Sequence, residues 1–313
     1  MQGLELSRAF FEEWGRPMLE REFPQLLPFL AAGLMGSGSE CFGYDDGVSR
    51  DHDFEPGFCL FLPGEETVDR RSAFLLERAY AGLPRAYRGF RRPILLPVGG
   101  ARRGVLRLGD FFAEKCGSPD GSLTLLQWLS VPEESLAEAV NGEVYFDNYG
   151  ELTQLRAILR YYPEDVRRKK LAGQLLLMAQ AGQYNYRRCL LHGEPGSAGL
   201  AAAEFVKSAM SVFFLLHRRY QPYYKWSFRA LRELPEAASP AKKLEQILSI
   251  GNGPEESREK TALMEELCSL VSEHLAAQGL SRVPGTELED HAYAVNDRVE
   301  DPNLRNLHIL AGV

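Results

Sequence analysis

Six consecutive segments of this chain, from residue 151 to residue 279, carry their apolar residues at helical spacing. They are "ELTQLRAILRYY", "PEDVRRKKLAGQLLLMAQAGQYNYRR", "AGLAAAEFVKSAMSVFFLLHRRY", "YKWSFRALREL", "PAKKLEQILSI" and "ESREKTALMEELCSLVSEHLAAQG". Pro163 and Pro240 fall near helix starts, where a missing N–H costs nothing. A half-chain with no strand of comparable quality has to form its own helical core. The first half mixes periods instead. Helices are expected over 4–14, 17–33 and 67–82, with Leu19, Phe23, Leu26, Leu27 and Leu30 on one face of the second. "FCLFL" (58–62) lies between Pro-Gly pairs and predicts a buried strand. "PILLPV" and "GVLRLGDFF" predict a strand pair around "GGARR", residues 122–140 a helix, and "GEVYFDN" a strand. The expected class is α+β. A small mixed-sheet domain over 1–149 is followed by an all-helical domain over 150–313.

The chain has 313 residues, more than one hydrophobic core usually organises, which agrees with two domains. Its net charge of −7 argues against coating nucleic acid or an anionic membrane by bulk electrostatics. Cys41, Cys59, Cys116, Cys189 and Cys268 are odd in number and widely spaced, a pattern that suits reduced thiols. The first residues hold acids and a proline rather than an apolar signal core. The most apolar later stretch, 198–216, contains Glu204 and Lys207 and predicts a buried helix rather than a membrane span. A cytoplasmic setting without a membrane partner is the expectation. No Walker loop, HExxH, GxSxG or paired CxxC occurs, so P-loop ATPases, zincins and α/β-hydrolases are poorly supported.

The chemistry concentrates in "GSGSECFGYDDGVSRDHDF" (36–54). Acid-, glycine- and serine-rich runs are most often solvated loops. An EF-hand is excluded, because its sixth and twelfth positions counted from Asp51 hold Pro56 and Leu62. A third reading uses the whole stretch. A Gly-Ser turn at a helix start offers N–H groups and a hydroxyl to a phosphate. Two aspartates one residue apart on an extended segment point the same way, and such a pair suits Mg²⁺ shared with substrate phosphates. Asp51 and Asp53 are then the metal ligands, while Gly38 and Ser39 hold the phosphates. His52 alternates to the other face and is expected to be structural. Glu40, Asp45 and Asp46 are either supporting groups or plain loop acids.

Gly38-Ser39, the Asp51-x-Asp53 pair and the apolar strand after them resemble the signature of the polymerase-β-like nucleotidyltransferase superfamily. The strings "GSECFGYDDGVSRDHDF", "YYPEDVRRK" and "YQPYYKWSF" resemble more specifically a bacterial family of unknown function, number 4037 in the domain-of-unknown-function series, over about residues 5–235. The resemblance implies Mg²⁺-dependent transfer of a nucleoside monophosphate, AMP from ATP being the expected case, to an unknown acceptor. It also implies a helical domain that closes the cleft. Two departures stand against it. Phe54-Glu55-Pro56-Gly57 separate the second aspartate from the strand, and "GVLRL" carries no third carboxylate. Asp110 and Asp147 lie just beyond strands and are the candidates, Asp110 being taken as catalytic. Without a third acid the alternative is a nucleotide-binding module with weak or no turnover.

In the helical half, "HRRYQPYYKWSFRALREL" interleaves cations and aromatics. Lys225 and Arg229, four apart, share a helical face and are the expected triphosphate contacts. The expected pocket lies between 36–53 and 217–229. "YPEDVRRKK" places acids before cations, the order a helix dipole favours, and needs no function. Arg187 and His192 fit the Arg-x4-His spacing of HEPN-type ribonucleases, a minor alternative.

Overall fold

The computed structural model of the chain describes residues 1–48, 55–92 and 103–313. They divide into two compact units, residues 1–122 with 131–160 and residues 123–130 with 161–313.

The first unit opens with one nearly continuous helical rod. α1 (Gly3–Phe10) runs through a π turn (Phe11–Gly15) into α2 (Arg16–Glu22), with Pro17 tolerated near the start of the last piece. The helix predicted to reach residue 33 stops at Glu22, and Ala31–Leu34 form strand β1. Helical spacing of the leucines misled here, because "AAGL" has little intrinsic strand preference and is made a strand by its neighbours. β1 lies between two partners. β2 (Cys59–Leu62) pairs with it antiparallel, Ala31 opposite Phe61. α3 (Arg70–Ala81), N-capped by the Asp69 carboxylate on the Ser72 N–H, follows β2. A small ribbon, β3 (Ala86–Tyr87) with β4 (Phe90–Arg91), comes next.

β5 (Gly104–Arg107) pairs with β2 in parallel, and α4 (Leu108–Cys116) starts at once. "LGDFF", expected to continue a strand, is therefore helical; residues 93–98 lie outside the described residues. The helix predicted over 122–140 is broken at Val131-Pro132 into α5 (Leu125–Ser130) and α6 (Glu133–Val140), as proline dictates. β6 (Glu143–Asp147) falls where "GEVYFDN" placed it and pairs antiparallel with β1, with a bulge between Ala32 and Gly33. The sheet order is β5-β2-β1-β6, a mixed four-stranded sheet. α7 (Glu151–Ile158) closes the unit.

Strand alternation assigns the two faces. Phe58, Leu60 and Leu62 face one core with Ala32, Leu6, Phe10, Phe11, Leu76 and Tyr80. On the other face Phe61 meets Phe111 of α4 at 5.3 Å between ring centroids. Burying each such aromatic or aliphatic side chain contributes roughly 1.5–3 kcal/mol, so the sheet is held from both sides.

The second unit contains α5 and, after residue 161, only helices among the described residues. α8 (Glu164–Met178) passes through a π stretch (Ala179–Asn185) into α9 (Tyr186–Leu191), and α10 (Pro195–Leu216) packs along them. Gly182 is required in the π stretch, because a Cβ there would enter the Phe205 ring. α10 is long and apolar enough to span a membrane, yet 67% of its apolar window is buried inside this unit, Phe205, Val212, Phe213 and Leu215 among it. α11 (Tyr224–Arg232), α12 (Ala238–Ser249), α13 (Pro254–Ala277), α14 (Leu288–Asn296) and α15 (Pro302–Arg305) complete it.

The basic run of α8 serves the scaffold through tertiary bonds as well as the helix dipole. Arg167, Lys169 and Lys170 are buried. Lys169 Nζ donates to Asn296 Oδ1 (2.9 Å), Arg305 O (3.2 Å) and Leu307 O (2.7 Å). Lys170 Nζ donates to Gly312 O at 2.7 Å. The acids serve the same end, Asp165 accepting from the Glu300 and Asp301 N–H groups at 3.0 and 2.8 Å. α8 thus fastens the last seventeen residues of the chain, 297–313, through charge-assisted hydrogen bonds to backbone.

Candidate functional site

The Gly-Ser turn follows β1 directly. Gly36 and Gly38 have φ of +104° and +120°, a region other residues rarely enter. Asn141, at the end of α6, brackets Gly36: its Nδ2 donates to Gly36 O at 2.8 Å and its Oδ1 accepts from Gly36 N at 2.9 Å. The hydroxyl of Ser37 is spent, donating to Glu138 Oε2 at 3.1 Å and facing Lys115 Nζ at 3.4 Å. A 3-10 turn, Glu40–Phe42, then ends at left-handed Gly43. Within it Cys41 N donates to Gly38 O, and Phe42 and Tyr44 N–H groups to Ser39 O. The N–H groups of Ser39 and Glu40 and the Ser39 hydroxyl have no acceptor among the described residues. These are the unspent donors of a helix start.

The loop acids divide by burial. Glu40 is 5% exposed, and its carboxylate lies so close over Gly38 that a Cβ there would sit 2.5 Å from it. It pairs with Arg103, 4% exposed, at 2.8 Å. Arg103 also donates to Glu55 O, so one guanidinium ties the Gly-Ser turn, the approach to β2 and the start of β5. Burial pulls the Arg103 pKa down, but the charges of Glu40 and Glu55 outweigh it and hold it above the ordinary value. Asp45 is buried and accepts from Gly3 N at 2.8 Å, fixing the start of α1. Asp46 accepts from Val48 N at 2.9 Å in a local turn.

The residues entering β2 are held as firmly. Ser7 Oγ donates to Gly57 O at 2.6 Å and accepts from the Tyr145 hydroxyl at 2.6 Å. The Tyr80 hydroxyl accepts from Phe58 N at 3.1 Å and donates to Phe58 O at 2.7 Å, and burial pushes its pKa up to about 12. Burial likewise raises the Cys59 thiol to about 11, which makes it an inert core group.

Asp51, Asp53 and His52 lie outside the described residues. Asp110 stands exposed in the first turn of α4, past the C-terminal ends of β2 and β5. Asp147 is occupied: its carboxylate accepts from Gly150 N (2.9 Å) and Thr153 N (2.7 Å), capping α7 at the opposite edge of the sheet. Among the described residues no cluster of three His, Cys, Asp or Glu side chains is placed to hold a metal. The α4 residue that reaches the Gly-Ser turn is Lys115, a cation sequence reasoning missed. It bonds Glu138 at 2.8 Å and Glu114 at 3.1 Å. Burial lowers its pKa, but its hydrogen bonds to Glu138 and Glu114 leave it raised. Arg103 was missed too, being hidden in an apparent glycine turn; "EKCGS" and "GGARRGV" signal a tertiary partner only through an unpaired cation beside glycine.

In the second unit Lys225 and Arg229 both lie on α11. Lys225 is exposed, with Nζ 5.1 Å from the Trp226 ring centre, and Arg229 is half-buried. Arg187 on α9 and His192 at its end are both exposed.

Residues 128–227 fit the family model described as Domain of unknown function (DUF4037). No curated protein matches the chain. The matched span holds α6, β6, α7 through α10 and the start of α11, and with them "YYPEDVRRK" and "YQPYYKW"; it stops short of the acidic loop. Over those residues the chain matches the model of the family that its later strings resemble, Domain of unknown function (DUF4037).

Proposed function

We propose that the first unit is a Mg²⁺-dependent nucleotidyltransferase core that moves a nucleoside monophosphate, AMP from ATP as the first candidate, to an unidentified acceptor. The observation that carries this reading is the Gly-Ser turn. Two backbone N–H groups and the Ser39 hydroxyl are unspent there, and the nearest carboxylate, Glu40, is neutralised by Arg103. A turn so arranged welcomes phosphate oxygens, which an unpaired Glu40 would repel.

In this reading Gly38 permits the close approach, and Ser39 and the turn N–H groups hold the phosphates. Asp51 and Asp53 hold Mg²⁺, which offsets the triphosphate charge and orients it for in-line attack. Asp110 is the available third carboxylate. Release of labelled pyrophosphate from ATP, with a panel of hydroxyl acceptors, tests the proposal. Activity is expected to fall at least about a hundredfold in Asp51→Asn/Asp53→Asn; full activity in that variant would sink the assignment.

One observation favours a second reading, a nucleotide-binding module without turnover. Asp147 is committed to capping α7, and Asp110 sits on a helix rather than a strand. ATP binding with no transfer to any acceptor, and no gain or loss on Asp110→Asn, is the outcome that would select it.

A further inference from the structure

The second unit contains a cavity of about 400 Å³ that the nucleotidyltransferase reading does not use. Four arginines line it, Arg167, Arg168, Arg218 and Arg298, with Glu164 as the one acidic residue of the lining. A void left by imperfect packing would be apolar. This one is built from the start of α8 and the ends of α10, α13 and α14.

Its groups have distinct duties. Arg167, 2% exposed, grips Glu164 with two bonds of 2.9 and 3.2 Å and donates to Leu215 O at 3.1 Å, so the carboxylate is fixed. Arg218 meets the other side of Glu164 at 2.7 Å while remaining more than half exposed. It does so from a left-handed backbone, φ +52°, a conformation that costs energy for any residue but glycine. Arg168 is spent: it pairs with Asp165 and Glu300 at 3.2 Å each and donates to the Arg298 carbonyl at 2.8 Å, and its Nε, shielded from solvent, lies 3.4 Å from Glu164. Arg298 is exposed and has no ion pair among the described residues. The cavity therefore keeps a free guanidinium and a partly free one around a fixed, already neutralised acid.

We propose that this cavity binds a small phosphate-bearing anion, held by Arg298 and Arg218. Planar guanidinium groups converging from several helices match the bidentate geometry of phosphate oxygens. The volume lies within the range of small-ligand sites and suits pyrophosphate or a mononucleotide. Glu164 acts as a positioning residue, splaying Arg167 from Arg218 so that the site stays open. This site is independent of the Gly-Ser turn and needs no metal.

Calorimetric titration of the full chain with pyrophosphate, ATP and inorganic phosphate, in EDTA at low salt, tests it. Pyrophosphate is expected to bind, more weakly as salt rises. Arg298→Ala should weaken it about tenfold or more, and Arg218→Gly/Arg298→Ala further, as expected for loss of charge-assisted bonds. Glycine at 218 suits the left-handed backbone, so that variant should keep its melting temperature. If it does not, Arg298→Ala alone decides, since that side chain is exposed. Asp51→Asn/Asp53→Asn should leave this metal-free binding unchanged, which separates it from the nucleotide reading. Tighter binding of ATP than of pyrophosphate would name a nucleotide as the ligand, and equal binding a plain polyphosphate. No heat with any of the three anions, or undiminished affinity in Arg298→Ala, would overturn the proposal.

Discussion

The acidic stretch of the first unit and the basic run of α8 are both charge clusters that a sequence presents as surface. Both turn inward, and they differ in what is left over. In the acidic stretch the described carboxylates serve the scaffold. Glu40 is taken by Arg103, Asp45 by the start of α1, and Asp46 by its own turn. In α8 the lysines are consumed by the carbonyls and amide of the C-terminal segment and the arginines by Glu164, Asp165 and Glu300, while Arg218 and Arg298 beside them open onto a cavity. A charge cluster is a functional candidate to the extent that its members remain unspent after the fold is built. By that criterion Ser39 is what remains among the described residues near the Gly-Ser turn, and Arg298 with the partly paired Arg218 near α8.

The largest effect should come from splitting the buried pair. Glu40→Ala leaves Arg103 charged and buried, and should cost about 3–5 kcal/mol, as breaking buried ion pairs does. A denaturant midpoint shift of that size, with the slope unchanged, is the expected result; a shift within experimental error would mean that water or another acid already serves Arg103.

Lys169→Met should cost less, about 2–4 kcal/mol, because three acceptors lose a buried donor. Residues 297–313 should become sensitive to limited proteolysis in that variant before the rest of the chain. The pH dependence follows in sign. Burial lowers the Lys169 pKa. Between that lowered value and the ordinary one, near 10.4, the unfolded chain binds more protons than the folded one, so this residue makes stability rise with pH. Lys169→Met should abolish that rise, and a variant that keeps it would show another group to be responsible.

How much of this was legible beforehand follows the same physics. "FCLFL", "GEVYFDN" and the long helices declare themselves, because burial on a regular period is a local pattern. β1 was hidden, because "AAGL" becomes a strand only through β2 and β6, which lie far along the chain. Glu40 was visible as an acid, but its partner Arg103 is sixty-three residues away. The four successive cations of α8 resembled a dipole-complementing surface, since no local signal shows that a tail wraps back onto them. The third carboxylate stays unassigned in sequence for a related reason: Asp110 and Asp147 both follow strands, and only hydrogen bonds tell a cap from a candidate ligand.

We propose that the acids of the Gly-Ser loop divide, Glu40, Asp45 and Asp46 to the scaffold and Asp51 and Asp53 to a metal-held triphosphate. Calorimetric titration with ATP, with and without Mg²⁺, tests it most directly. A Mg²⁺-dependent component of binding is predicted, weakened about tenfold or more in Asp51→Asn/Asp53→Asn, with the melting temperature unchanged. Equal Mg²⁺-dependent affinity in the wild type and that double variant would contradict it.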